Sequence, residues 1–83
     1  MFKIVVSPQA AKELKALKKL YQVSINNAFL EIKEDPHVGK ALSREFTGKF
    51  SYKIGVYRII YKINKKDKIV NVLSVGHRSN IYN

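Results

Sequence analysis

The sequence predicts an α+β domain in which a helical hairpin packs on one face of a mainly antiparallel, four-stranded sheet. Two observations lead to this fold class. The first part of the chain repeats apolar residues at helical spacing, whereas the second half alternates apolar and polar residues with a period of two. Helices that precede a run of adjacent strands are typical of α+β proteins. A length of 83 residues suits one domain that covers residues 1–83.

The first half of the chain predicts one strand followed by two helices. Residues 2–6 are apolar and β-branched, which favours a strand, and Ser7 followed by Pro8 is typical of an N-cap and a first helical position. The apolar spacing predicts a helix over residues 8–20. A second helix is expected from Ser24, as its cap, to the residues before Asp35-Pro36.

The second half predicts three strands that pair in sequence order. Residues 34–48 lack sustained periodicity and contain proline and glycine, so they are expected to form a connecting loop. Strands are predicted over residues 49–54, 57–63 and 69–75, with a turn at Gly55-Val56 and a polar hairpin loop over residues 64–68. The predicted order is therefore β-αα-βββ.

The charge balance is the most unusual global property of the chain. Sixteen Lys and Arg residues against six Asp and Glu residues give a formal net charge of +10, which favours binding to a nucleic acid, a membrane surface or an acidic protein. With 46% hydrophobic and 27% charged residues, the composition argues against disorder and against a membrane span. The absence of cysteine favours a cytoplasmic location.

The composition also argues against several kinds of site. The two histidines are far apart and no cysteine is present, so we expect no metal site. The four glycines are isolated, so we expect no glycine-rich phosphate loop and no cofactor. The candidates for chemistry that we consider are the cations and the polar residues near the C-terminus.

Strand alternation brings a few of the cations together. Lys49, Ser51 and Lys53 share one face of their strand, and a simple hairpin over residues 64–68 would place Arg58 roughly opposite Ser74. Arg78 has the parity of Ser74, so Lys53, Arg58 and Arg78 are expected to converge at one end of the sheet. The alternative is that each cation is ordinary solvated surface.

The C-terminal stretch places three chemically useful side chains within six residues. The imidazole of His77 can move a proton, the guanidinium of Arg78 can hold a phosphate, and the phenol of Tyr82 can stack on a base. RNA cleavage needs these three abilities. The alternative is a surface histidine and a tyrosine that anchors the C-terminus by packing.

The chain resembles the RelE/ParE superfamily of toxins from toxin-antitoxin systems. The resemblance rests on the β-αα-βββ order, on the segment Tyr-Lys-Ile-Gly-Val-Tyr-Arg-Ile-Ile-Tyr at residues 52–61, and on Gly-His-Arg at residues 76–78 with Tyr82 four residues later. It implies a RelE-like fold. For RelE-type members it implies a ribosome-dependent, metal-independent endoribonuclease of messenger RNA. For ParE-type members it implies a non-catalytic inhibitor of DNA gyrase.

The resemblance also implies roles for single residues. Lys53 would face the scissile phosphate, Arg58 would grip the same group, and Arg78 would stabilise the phosphate or serve the leaving group. Tyr82 would orient or stack on a base, and His77 is a candidate proton carrier. Ser51 stands where some members have a second lysine, for which Lys49 would compensate.

The expected partners follow from the same resemblance and from the charge. The ribosome and messenger RNA would meet the sheet cations and the basic residues of the first predicted helix, which are Lys12, Lys15, Lys18 and Lys19. An acidic antitoxin would wrap the domain and neutralise part of its charge. No membrane and no small-molecule cofactor is expected as a partner.

Overall fold

A computed structural model describes residues 1–43 and 46–77, and it contains two helices packed on one face of a five-stranded sheet. The elements in chain order are β1 (Lys3–Val6), α1 (Pro8–Lys15), α2 (Lys19–Glu34), β2 (Lys40–Ala41), β3 (Lys49–Ile54), β4 (Tyr57–Asn64) and β5 (Ile69–His77). The strands lie in the order β1-β5-β4-β3-β2, and only the β1–β5 pair is parallel among them. The predicted α+β class is confirmed.

The predicted strand count was one too low. Within the expected loop over residues 34–48, a 3-10 turn at Pro36–Val38 is followed by β2, which pairs with the outer edge of β3. A strand of two residues is too short to show an alternating pattern. The sequence therefore gave no signal for it.

The boundary between the two helices was also predicted wrongly. Ser7 caps α1 as expected, since its hydroxyl accepts a hydrogen bond from the Ala10 amide at 3.0 Å. However, α1 ends at Lys15, and α2 begins at Lys19 rather than after Ser24. The break comes from the extended backbone of Lys18 (φ −59°, ψ 148°), and the apolar spacing runs through it without interruption. Neither helix among the described residues is long and apolar enough to span a membrane.

The core lies between the helices and the central strands. Its fully buried side chains come from α2 and from the helix-facing positions of β4 and β5, and they are Ile25, Ile32, Ile59, Tyr61, Val70, Val72 and Val75. Ala10 of α1 has no exposed surface, and its small side chain lets α1 lie close to β5. The sheet thus has one face covered by helices and one without them.

A bulge in β5 changes the register that a simple hairpin predicts. Ile60 pairs with Ser74 but Tyr61 pairs with Val72, so Leu73 is an extra residue in β5. The hairpin loop is also one residue shorter than predicted, since Asn64 pairs with Ile69. The two changes together place Gly76, and not Ser74, opposite Arg58. The strand also continues two residues beyond its predicted end, to His77.

Tyr61 joins the sheet to the segment that leaves α2. Its side chain is completely buried, and its hydroxyl donates to the Pro36 carbonyl at 2.6 Å and accepts from the Gly39 amide at 3.1 Å. Burial raises the pKa of Tyr61, and the Gly39 amide lowers it by a smaller amount. A Cβ on Gly39 would lie 2.3 Å from the tyrosine hydroxyl oxygen, so glycine is required here by close approach.

This contact predicts a measurable coupling between Gly39 and Tyr61. We expect Gly39→Ala to lower the free energy of unfolding by about 1–3 kcal/mol, because the new methyl group displaces the hydroxyl. We expect Tyr61→Phe to cost about 1–3 kcal/mol, because the Pro36 carbonyl and the Gly39 amide lose their partner. In the double variant the hydroxyl that the methyl strikes is gone, so the loss should be smaller than the sum of the two single losses. Urea unfolding of the four proteins measures this, and strict additivity would contradict the account.

Candidate functional site

A pair of cations lies at the end of the β3–β4 hairpin, on the face of the sheet without helices. Ile54 and Tyr57 close a two-residue turn that begins with Gly55 at φ +58°, the glycine position of a type II′ turn. Lys53 is therefore directly opposite Arg58. Because side chains alternate along a strand, both lie on the face opposite the buried Ile59. The predicted proximity of Lys53 and Arg58 is confirmed.

The side chain of Arg58 lies along the sheet rather than extending into solvent. It is half-buried, and its Nη1 donates to the Ser51 hydroxyl at 3.5 Å, the long end of a hydrogen bond. Ser51 itself is buried, with 4% of its surface exposed. The serine that departs from the family pattern is thus a support for the guanidinium, and a lysine could not accept this hydrogen bond.

Two more cations continue the same face away from the turn. Lys49 pairs with Lys62 across the β3–β4 ladder, and the Lys49 ammonium lies 5.6 Å from the centroid of the Phe46 ring. Like charges placed directly opposite each other destabilise a sheet. A row of two such pairs is therefore a cost to folding, and an anion that binds across the rows would relieve it.

The structure places His77 away from the cation pair. His77 lies opposite Tyr57, with ring centroids 5.9 Å apart in an edge-to-face arrangement, and Tyr57 in turn contacts Tyr21 of α2 at 4.9 Å. Those aromatic contacts are on the helix-covered side of the sheet. Arg78 and Tyr82 lie outside the described residues, so their expected place beside Arg58 stays a prediction.

The four basic residues predicted for ribosome binding are all exposed. Lys12 and Lys15 belong to α1, Lys18 is the N-cap of α2, and Lys19 is the first residue of α2. They extend from α1 across the α1–α2 connection to the first residue of α2. This region forms a basic surface on the helical layer.

Two tyrosines of the strands have structural contacts, which are Tyr52 of β3 and Tyr61 of β4. The Tyr52 hydroxyl donates to the Glu31 carboxylate of α2, and this hydrogen bond is the main reason that the pKa of Tyr52 is raised. Tyr61 is held by the contacts already described. These residues join the helices to the sheet.

Two features of this end of the molecule were not predicted. A cavity of about 180 Å³ with mostly apolar walls lies between the start of α2 and the β3–β4 turn, and its lining includes Tyr21, Ile25, Ile54 and Tyr57. Glu13 of α1 accepts hydrogen bonds from Ser74 and Val75 of β5. The cavity left no pattern in the sequence, whereas Glu13 was visible as the one acidic residue of a lysine-rich helix.

The described residues contain no cluster of three histidine or carboxylate side chains placed to hold a metal ion. What this face offers is a set of cations at an exposed sheet end, of which the Arg58 guanidinium is held by Ser51. Guanidinium and ammonium groups in such an array bind phosphate oxygens through charge-assisted hydrogen bonds.

Comparison with known proteins gives a consistent result. Residues 4–82 match the family model of the ParE toxin of type II toxin-antitoxin systems. Toxin RelG of Mycobacterium tuberculosis is 43% identical over 56 residues, which are 66% of this chain and 64% of that protein, so the match spans just under two thirds of the relative's length.

Solved structures agree with this assignment. The fold superposes on the toxin-antitoxin complex RelBE2 of M. tuberculosis with a TM-score of 0.86 and 32% identity, over 93% of this chain and 98% of that one. It also superposes on the intact E. coli RelBE toxin-antitoxin complex with a TM-score of 0.81 over 93% and 96% of the two chains, where an identity of 22% shows the fold alone. The protein therefore belongs to the RelE/ParE superfamily and is a toxin of a type II toxin-antitoxin system.

Proposed function

We propose that this toxin is a ribosome-dependent endoribonuclease that cleaves messenger RNA and so inhibits translation. The observation that carries the proposal is the pair formed by Lys53 and Arg58, which are directly opposite each other on the helix-free face. Arg58 is half-buried and supported by Ser51, so its guanidinium has a restricted position before any ligand arrives. Preorganised cations of this kind stabilise developing negative charge at little reorganisation cost.

The chemistry requires little from the protein because RNA carries its own nucleophile. The 2′-hydroxyl oxygen attacks the adjacent phosphorus and loses its proton, the bond from phosphorus to the 5′-oxygen breaks, and the leaving oxygen takes up a proton. The products are a 2′,3′-cyclic phosphate and a 5′-hydroxyl. Lys53 and Arg58 would stabilise the charge that builds up on the phosphate oxygens.

The residues near the C-terminus complete the proposed site. Arg78 would stabilise the phosphate or the leaving group, and Tyr82 would orient the substrate base, as the family resemblance implies. The contact of His77 with Tyr57 favours a different place for the imidazole than beside Lys53 and Arg58. We therefore assign His77 the least direct role among these residues.

The proposed dependence on the ribosome fits the kinds of side chain that the site contains. The described residues of the site are mainly cations, so a partner that presents messenger RNA in a reactive geometry would contribute much of the rate. The net charge of +10 and the exposed lysines of the α1–α2 connection favour binding to ribosomal RNA without sequence reading.

An acidic antitoxin is the second proposed partner. The solved complexes of RelBE2 and RelBE, to which this fold is similar, each contain an antitoxin. On this chain, the cations would attract acidic side chains, and the apolar cavity beside the β3–β4 turn would accept an apolar one. Val56 at that cavity is 46% exposed, which leaves apolar surface for a partner to cover.

The alternative is inhibition of DNA gyrase without catalysis, since the matching family model is that of ParE toxins. The support for cleavage over this alternative is the convergence of Lys53 and Arg58 at one sheet end. Binding alone does not require that convergence. The two functions differ in whether messenger RNA is cut.

The proposed roles of Lys53 and Arg58 predict large losses of cleavage. We expect Arg58→Ala to lower the rate of cleavage on programmed ribosomes by about 10²-fold or more, the scale for loss of one preorganised donor, and Lys53→Ala to act in the same direction. The fold should survive, because neither side chain contributes to the core.

Lys65→Ala is the matched control for these variants. It removes one exposed cation from the loop between β4 and β5, which lies at the opposite end of β4 from Arg58. We therefore expect nearly normal cleavage. Circular dichroism checks the fold of each variant. A folded Lys53→Ala, Arg58→Ala double variant that cleaves at the wild-type rate would refute the proposed site.

The basic surface on the helical layer predicts a separable effect on ribosome binding. We expect Lys18→Glu with Lys19→Glu to weaken association with ribosomes at low salt while leaving the position of the cut unchanged. Acidic residues at the start of α2 suit the helix dipole, so the loss should not reflect unfolding.

The control is Lys65→Glu with Lys66→Glu, which changes the net charge equally in the 64–68 loop. Sedimentation with ribosomes measures association, and mapping of messenger RNA ends locates the cut. An equal loss from both pairs would mean that only net charge matters. A changed cut position with normal binding would mean that Lys18 and Lys19 read sequence.

A further inference from the structure

The outer edge of β5 is covered by three different elements along its length. β1 pairs with β5 only as far as Val72. Ser7 continues the cover, since its amide donates to the Val72 carbonyl at 3.0 Å and its hydroxyl donates to the Leu73 carbonyl at 3.2 Å. Beyond Leu73, β5 extends past the end of β1. The backbone N–H and C=O groups on this edge of β5 therefore need partners other than β1.

Glu13 of α1 is the hydrogen-bond partner of the next two residues of β5, which are Ser74 and Val75. Its Oε1 accepts a hydrogen bond from the Ser74 hydroxyl at 3.0 Å and another from the Val75 amide at 3.1 Å. Hydrogen bonds to a carboxylate are stronger than those between neutral groups. Glu13 is itself held in place, because α1 is fixed by the Ser7 cap and by the buried Ala10.

The anchored residues come just before the proposed site. Gly76 follows Val75 and lies opposite Arg58, and the chain then continues through His77 to Arg78. A carboxylate does not attract a phosphate. The contacts of Glu13 with Ser74 and Val75 therefore indicate a role in holding the strand and not in binding the substrate.

We propose that Glu13 is a positioning residue for the site described above, acting through Ser74 and Val75 to hold the end of β5 against Arg58. The inference rests on the proposed nuclease function for its effect on rate, and on the two hydrogen bonds alone for its effect on the strand. Glu13 contacts neither the reacting phosphate nor the RNA in this role.

Two substitutions separate positioning from charge. Glu13→Ala removes both hydrogen bonds, so we expect kcat for messenger RNA cleavage on ribosomes to fall about 10-fold to 100-fold with little change in KM, since small misplacements of catalytic groups have costs on this scale. Glu13→Gln keeps an acceptor oxygen but removes the charge. We expect it to retain kcat within about 3-fold, because an acceptor oxygen for the Ser74 hydroxyl and the Val75 amide remains.

Glu34→Ala is the matched control for charge. It removes an exposed carboxylate at the end of α2, which lies beside β1 and the start of β5 and not beside Ser74 and Val75, so any change that it shares with Glu13→Ala reflects net charge. If Glu13→Gln loses as much kcat as Glu13→Ala, the carboxylate acts through its charge or its proton, and the positioning role is wrong. If Glu13→Ala keeps wild-type kcat, the positioning role is also wrong.

A measurement independent of cleavage tests the anchor itself. We expect amide hydrogen exchange at Val75 to become at least about 10-fold faster in Glu13→Ala, while the amides of Val70 and Val72, in the part of β5 covered by β1, keep their protection. Unchanged exchange at Val75 would overturn the inference. If the wild-type protein cleaves no RNA, the proposed function fails, and the exchange at Val75 still decides whether Glu13 holds the strand end.

Discussion

The register of the β3–β4 hairpin is the constraint on which the proposed site depends. The two-residue turn that starts at Gly55 pairs Ile54 with Tyr57, and this pairing places Lys53 opposite Arg58. A slip of β4 by one residue against β3 would move Arg58 to the helix-covered face, away from Lys53, and bring the apolar side chains of β4 to the surface. The buried side chains of Ile59 and Tyr61 oppose such a slip, because they fill the core only in this register. Packing on the helix-covered face of the sheet therefore determines which cations lie next to each other on the helix-free face.

This arrangement also explains why the domain carries an unfavourable charge distribution. Lys53 faces Arg58 and Lys49 faces Lys62 across the same ladder, and each pair is a repulsion that the core must offset. The helices leave that face open, so a phosphate backbone or an acidic antitoxin can relieve the repulsion, and each would use the same cations. Under the proposed function, inhibition by an antitoxin and binding of RNA would then be competing ways of neutralising one surface.

Most of the fold could be predicted because its signals are local. The Ser7 cap, the period change near residue 49 and the alternation along β4 each reflect a backbone preference that a short window contains. The parity that brings Lys53 and Arg58 to one face followed from the same alternation. The α1–α2 break at Lys18 left the apolar spacing intact, and the bulge at Leu73 depends on tertiary packing, so neither was visible. The support from Ser51 and the anchor from Glu13 join residues that lie far apart in the chain, and no local pattern records such contacts.

If the cations on the helix-free face serve cleavage of RNA, the ends of cellular messenger RNA must carry the end groups that this reaction leaves. After brief induction of the toxin, the 5′ and 3′ ends of messenger RNA can be mapped and their end groups identified. Attack by the 2′-hydroxyl predicts new cuts within translated regions, with a 2′,3′-cyclic phosphate on the upstream fragment and a 5′-hydroxyl on the downstream one. Growth arrest with intact messenger RNA would contradict the account and would favour inhibition of gyrase.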